Sequence, residues 1–237
     1  MKKNEKMITD CGGIKMPAPE KCLNGITELV FILDRSGSMS GLEADTIGGF
    51  NSMIEEQKAK EGKVYVSTVL FDHESFVLHD RVDIEKIEPM TRDDYYVRGT
   101  TALLDAIGGA IHHIGNIHKY ARAEDVPEHT IFVITTDGYE NASHEYTSKG
   151  IKSMITRQTN QKGWEFIFLG ANIDAFETAE NLGIRHERAA NYRYDSDGVS
   201  ESYCAMACAI SSIRDRKDGF NLADIVDMEE KKGKKKK

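Results

Sequence analysis

Long apolar runs are missing from this sequence. Uninterrupted stretches of large apolar side chains reach about five residues, far below the roughly 20 that a bilayer-spanning helix needs. No membrane span is therefore expected. The start, Met1-Lys2-Lys3-Asn4-Glu5-Lys6, is basic but has no apolar segment behind it. That excludes the pattern of a secretory signal and leads to the expectation of a cytoplasmic protein. Cysteine is scarce, with Cys11, Cys22, Cys204 and Cys208 alone. Their spacings match no zinc ribbon, and in a reducing compartment free thiols are the default. Cys204 and Cys208 sit one helical turn apart beside an apolar stripe, which predicts packing. Positive charge is also short, leaving a net −8. Six of the 31 cations lie in the last seven residues, and without them the balance is 25 against 39 acids. An acidic body argues against nucleic acid on the folded part. The Lys-rich end carries no aromatic for base stacking and reads as a disordered, solubilising tail.

What is present is a strand–helix alternation. Leu29–Leu33 and Ile131–Ile134 are short branched or aromatic runs of the kind buried on both faces of a parallel sheet. Val64–Phe71 and Trp164–Leu169 read the same way, and Ser75–Asp83 returns from Asp72-His73-Glu74 as a hairpin-like edge strand. The Asp72-His73-Glu74 turn reads as a solvated hairpin turn, with a place near the rim of a site at the strand ends as the alternative. A weak edge strand is expected within 183–190. Helical spacing covers about 42–60, 103–117, 147–161 and 199–213. Asp174 and Glu177 form a capping-box pair, and Gly163 and Gly183 close helices. Gly108-Gly109 sits in mid-helix, where each Gly costs about 1 kcal/mol relative to Ala. Close approach of a neighbour would account for that. The pattern predicts an α/β fold: a doubly wound, mostly parallel central sheet with one antiparallel edge strand and helices on both faces. The expected division is an irregular arm at 1–25, one domain at 26–216, and an extension at 217–237 ending in the Lys-rich tail.

Three strand ends carry the chemistry. After Leu33 the chain reads Asp34-Arg35-Ser36-Gly37-Ser38. In an extended loop alternate side chains share a side, so Asp34, Ser36 and Ser38 can converge. One carboxylate and two hydroxyls are hard oxygen ligands, suited to Mg²⁺, Mn²⁺ or Ca²⁺. A second loop holds Gly99-Thr100-Thr101-Ala102-Leu103, and a third strand ends in Thr136-Asp137-Gly138. Ligands of open α/β sheets bind outside the carboxyl ends of strands.

Together these segments resemble the von Willebrand factor A (vWA) family and its metal-ion-dependent adhesion site, in a bacterial, intracellular type of branch. Asp34, Ser36, Ser38 and Met39 match its Asp-x-Ser-x-Ser signature, and Asp137 matches its second carboxylate. The second loop departs from the family's Gly-Gly-Thr. That leaves Thr100 and Thr101 as alternatives, with Ala102-Leu103 aligning Thr101 as the ligand. The resemblance implies metal ligands Asp34, Ser36, Ser38, Thr101 and Asp137, with Asp34 commonly acting through water. It implies Mg²⁺ (or Mn²⁺ or Ca²⁺), a protein partner presenting Asp or Glu to the cation, and no catalysis. Intracellular relatives often serve ATPase or stress-response complexes.

Two other readings belong beside this one. A metal-dependent phosphatase could use an Asp after the first strand, but its usual second carboxylate two residues on is here Ser36, and no phosphate-cradling Gly-rich loop with Lys is present. A vWA scaffold without metal function would leave the same serines and aspartates as caps and turns.

Overall fold

The computed structural model describes residues 7–9, 15–17, 25–217 and 219–236. Cys11 and Cys22 lie outside them. In chain order the elements are β1 (Met7–Thr9), β2 (Lys15–Pro17), β3 (Thr27–Asp34), α1 (Glu43–Lys58), β4 (Val64–Phe71), β5 (Ser75–Asp83) and α2 (Leu103–Tyr120). They continue with β6 (His129–Thr136), α3 (Ser148–Lys162), β7 (Glu165–Gly170), α4 (Ala175–Leu182), β8 (Ala189–Asn191), α5 (Ser196–Arg214) and α6 (Leu222–Lys236).

The main sheet runs β5-β4-β3-β6-β7-β8. Only β5 is antiparallel to its neighbour. The central strand β3 is buried along its whole length, because its alternating side chains enter two separate cores. Leu29, Phe31 and Leu33 pack with α1 and α5 residues such as Phe50, Met53, Met206 and Ile210. Val30 and Ile32 pack on the other side with Ile107, Ile111 and Ile155 of α2 and α3. This two-faced burial is why the strand reads as an unbroken apolar run. From β3 the chain first builds outward to β4 and β5, then returns to place β6 on the opposite side of β3. The order reverses between β3 and β6, and Asp34 and Asp137 stand at that switch point.

Four expectations need correcting. The arm at 1–25 contains an antiparallel pair, with Met7–Thr9 opposite Lys15–Pro17. The Lys-rich end is helical rather than disordered as far as Lys236. Leu222 and Val226, one turn apart, are buried in the same core as α5, while Lys232–Glu229 and Lys234–Glu230 pair along the exposed side. The lysines masked a short apolar stripe that is enough to dock the helix. Cys204 and Cys208 are free and exposed on α5 instead of packed. The weak edge strand is shorter and later than expected, at Ala189–Asn191.

Helix ends follow their capping signals. Asp174 accepts from the backbone N–H groups of Phe176 and Glu177, and Gly163 and Gly183 end α3 and α4 in left-handed conformation. The glycine pair in α2 divides. A Cβ on Gly108 would stand 2.4 Å from the Tyr146 ring, whereas one on Gly109 would meet nothing within 4 Å. Gly108→Ala should therefore destabilise the fold by about 1–3 kcal/mol through overpacking. Gly109→Ala should stabilise it by about 1 kcal/mol through helix propensity. Urea unfolding of both variants checks this, and equal shifts would contradict it.

Candidate metal centre at the carboxyl edge of the sheet

The site begins with β3 delivering Asp34 to the sheet edge, where it is buried. Its Oδ1 accepts from the Ser36 N–H at 2.7 Å, and its Oδ2 accepts from the Thr136 hydroxyl at 2.6 Å. The buried Tyr95 hydroxyl donates to the Asp34 carbonyl at 2.5 Å. Past Asp34 the chain is not extended throughout. Ser36 is extended (φ −63°, ψ 166°), and Gly37–Met39 then closes a 3-10 turn. The hydroxyls of Ser36 and Ser38 still meet, 3.0 Å apart, but by a turn rather than by strand alternation.

Asp137 follows directly on β6. Its Oδ1 accepts from the Ser38 hydroxyl at 2.7 Å. Its Oδ2 is buried with no hydrogen-bond partner. Beside it, Gly138 leaves a gap: a Cβ there would lie 3.3 Å from Thr101 Oγ1 and 3.5 Å from Ser38 Oγ. Thr101 is buried, whereas Thr100 is exposed, so Thr101 is the threonine turned toward this gap. The structure thus brings Asp34, Ser36, Ser38, Thr101 and Asp137 together across three loops.

Burial raises the Asp34 carboxyl to about 6, a rise that the Thr136 and Ser36 hydrogen bonds reduce and the nearby Asp137 charge increases. Burial also pushes Asp137 upward, against the Ser38 hydrogen bond. Two desolvated carboxyl groups, one with an unpartnered buried oxygen, are costly without a compensating cation. The donor set of two carboxylates and three hydroxyls, with a glycine-lined gap between them, fits a hard divalent ion. Among the described residues no cluster of three or more His, Cys, Asp or Glu side chains is placed to hold a metal. A softer, nitrogen- or sulfur-rich centre is not built here.

Several supporting residues escaped the sequence reading. Asp72, in a turn expected to be solvated, is fully buried. Its Oδ2 accepts from Nε of both Arg35 and Arg98 at 2.8 Å, and its Oδ1 lies 2.9 Å from His73 Nδ1. Burial alone would raise the Asp72 carboxyl, but Arg98, the Glu74 N–H and Arg35 overcome it and hold the group below the ordinary range. The backbone repeats the link: Arg98 N–H donates to the Arg35 carbonyl, Gly37 N–H to that of Gly99, and Ala102 N–H to that of Asp72. Gly99 has φ +66°, and a Cβ there would fall 2.2 Å from His73 Nδ1. No other residue fits both demands.

A second clasp holds the loop after Asp137. Asn141 exchanges hydrogen bonds with the Thr101 backbone, through its Oδ1 and its N–H. Glu140 accepts from the N–H groups of Leu104, Ala142 and Ser143. Asp105 in turn accepts from those of His144, Glu145 and Tyr146. Tyr194, from the segment before α5, donates its hydroxyl to the Ser38 carbonyl. The signal for these residues was weak because single Asp, Asn and Glu residues in loops are common turn formers.

In sequence comparison the chain matches no family model and no curated protein. Solved structures give consistent likenesses. Proximal thread matrix protein 1 from the mussel byssus, with a zinc-occupied MIDAS motif, aligns over 78% of this chain and 46% of that one, at TM-score 0.55 and 15% identity. Manganese-loaded Plasmodium vivax TRAP protein aligns over 75% of this chain and 71% of that one, at TM-score 0.52 and 15% identity. The vWF domain of the type V pili tip protein Mfa5 from Porphyromonas gingivalis aligns over 78% of this chain and 95% of that one, at TM-score 0.52 and 14% identity. The chain spans just under half the length of the mussel protein. At these identities the likeness concerns the fold, and the fold of this chain is that of a vWA domain.

Proposed function

We propose that this chain is a divalent-cation-dependent protein-binding module, in which Asp34, Ser36, Ser38, Thr101 and Asp137 hold Mg²⁺ or Mn²⁺ and a partner contributes an acidic side chain. The observation that carries the reading is the buried, unpartnered Oδ2 of Asp137 beside three converging hydroxyls. A cation held there supplies a strong charge that two carboxylates and neutral hydroxyls leave open to a further carboxylate. The residues themselves do the positioning. Thr136 and the Ser36 N–H fix both oxygens of Asp34, and Ser38 bridges Ser36 to Asp137. Asp72 ties the first two loops through Arg35 and Arg98. Two of the similar structures carry zinc or manganese, which supports a divalent ion without choosing Mg²⁺. The proposed setting is an intracellular complex, such as one built around an ATPase or a stress response. Among the described residues no helix is long and apolar enough to cross a membrane.

The reading is one of binding rather than turnover. Two residues beyond Asp34, where phosphoryl-transfer chemistry would want an acid–base carboxylate, stands Ser36, whose hydroxyl is engaged with Ser38. Asp72, the nearby buried carboxylate outside the five-residue set, is held by two arginines.

Metal should stabilise the fold in a pH-dependent way. In metal-free protein the Asp34 carboxyl is raised from 3.8 to about 6. Its contribution to stability is therefore full below the ordinary value and lost as pH rises through about 6. Cation binding needs the ionised form, so the metal-induced shift should grow over that same interval. At a tenfold excess over Kd at neutral pH, Mg²⁺ or Mn²⁺ should raise Tm by roughly 3–5 °C. Asp34→Asn should flatten the metal-free profile and remove the shift. Melting curves that ignore both metals in wild type would contradict the site.

Partner binding tests the function itself. In lysate containing Mg²⁺, wild type should retain a protein that is lost on chelation and lost with Asp34→Ala. Recovery of the same partner by Asp34→Ala in chelator would contradict a metal-bridged contact.

A further inference from the structure

The opposite edge of the sheet, where the parallel strands begin, carries a cavity of about 790 Å³. It opens between the carboxyl ends of α2 and α3 and the segment leading into β6, and Trp164, Val126, Pro127, Ala123 and Gly115 give it an apolar lining. Its size falls within the range of small-molecule sites, about 300–1,000 Å³. Lys119, Arg157 and Lys162 stand around it and are exposed.

The charge around this cavity is unbalanced. Arg157 and Lys162 have no ion-pair partner among the described residues, and Lys119 lies over the Tyr120 ring. The one carboxylate in the lining, Glu128, is committed to Arg216 and the Gly25 N–H. Two of the cations lie in the last turns of their helices, where they would complement the helix dipoles. Each helix end supplies only about half a negative charge, however, so three cations against two ends leave an excess of about +2. The cavity therefore favours an anion.

The lining also says what the rest of the ligand is. Trp164 is buried, with Phe132 stacked at 5.2 Å and His118 edge-on at 5.4 Å. Phe132 covers one face and little of the ring is left exposed, so it offers an edge to the cavity rather than a platform for stacking a nucleobase. Gly115 lies within α2, where glycine is unfavourable, yet nothing crowds it. A Cβ there would meet only Gln158 at 3.6 Å and Trp164 at 3.9 Å, which is ordinary contact. Unlike Gly108, it is not required by a packed neighbour, and its missing side chain keeps the cavity open beside the indole.

We propose that this cavity is a second binding site, independent of the cation centre, for a small amphipathic anion with an aliphatic body and a carboxylate or phosphate head. The body lies against Trp164, Val126 and Pro127, and the head lies among Lys119, Arg157 and Lys162.

Trp164 is the only tryptophan of the chain, so its fluorescence reports this cavity directly. The full chain is titrated with octanoate, octyl phosphate and uncharged 1-octanol, with and without chelator. At least one anion should give a saturable change that chelator leaves intact, and 1-octanol should give none. A response to octanoate alone assigns a carboxylate head, and one to octyl phosphate alone assigns a phosphate. Gly115→Met, which fills the cavity at a helix-tolerant position, should abolish the response. The double variant Arg157→Gln/Lys162→Gln should weaken it about tenfold, as expected for two exposed ion pairs. Circular dichroism establishes that each variant is folded, and if Gly115→Met is not, the charge variant decides. No saturable change with either anion, an equal response to 1-octanol, or a response unaltered in the folded variants would overturn the proposal.

Discussion

The arrangement of the candidate site depends on one costly placement, the carboxylate of Asp34 taken out of water at the end of the central strand. Both its oxygens are fixed by neighbours from different segments, the Ser36 N–H and the Thr136 hydroxyl, and its carbonyl is held by Tyr95. A buried acid held this way ties β3, β6 and the loop before α2 to one point. It also leaves a raised carboxyl that favours a cation beside it. The switch in strand order between β3 and β6 supplies the opening in which this point sits.

Around that point the loops are held by charge and backbone rather than by packing. Asp72 joins Arg35 of the first loop to Arg98 of the second. Asn141 and Glu140 join the third loop to the start of α2. Removing one member of such a network leaves a buried charge without its partner, which costs far more than an exposed pair would. The hydroxyls of Ser36, Ser38 and Thr101 are thereby held in place with little freedom to lose on binding, as expected of a preorganised site.

Much of this was legible in the residues. The unbroken run Leu29–Leu33 revealed a strand buried on both faces, and the residues after three such strands pointed to the candidate site, because their side chains differ sharply from the apolar runs that precede them. Asp72 was misread because a lone Asp-His-Glu turn in a sequence carries no sign of the two arginines that close over it. The choice between Thr100 and Thr101 needed burial to separate them. The end of the chain was misread for the opposite reason. Lysines dominate its composition, and composition says nothing of two apolar residues, Leu222 and Val226, spaced to meet α5.

The claim that most needs a direct answer is that the five oxygen-bearing side chains at the sheet edge hold a cation. Electron paramagnetic resonance of Mn²⁺ titrated into the chain at neutral pH counts free ion without relying on stability or on a partner. The account predicts one bound Mn²⁺ per wild-type chain, displaced by Mg²⁺ and lost in Asp137→Ala. Free Mn²⁺ rising one for one with the amount added, or equal binding by Asp137→Ala, would contradict it.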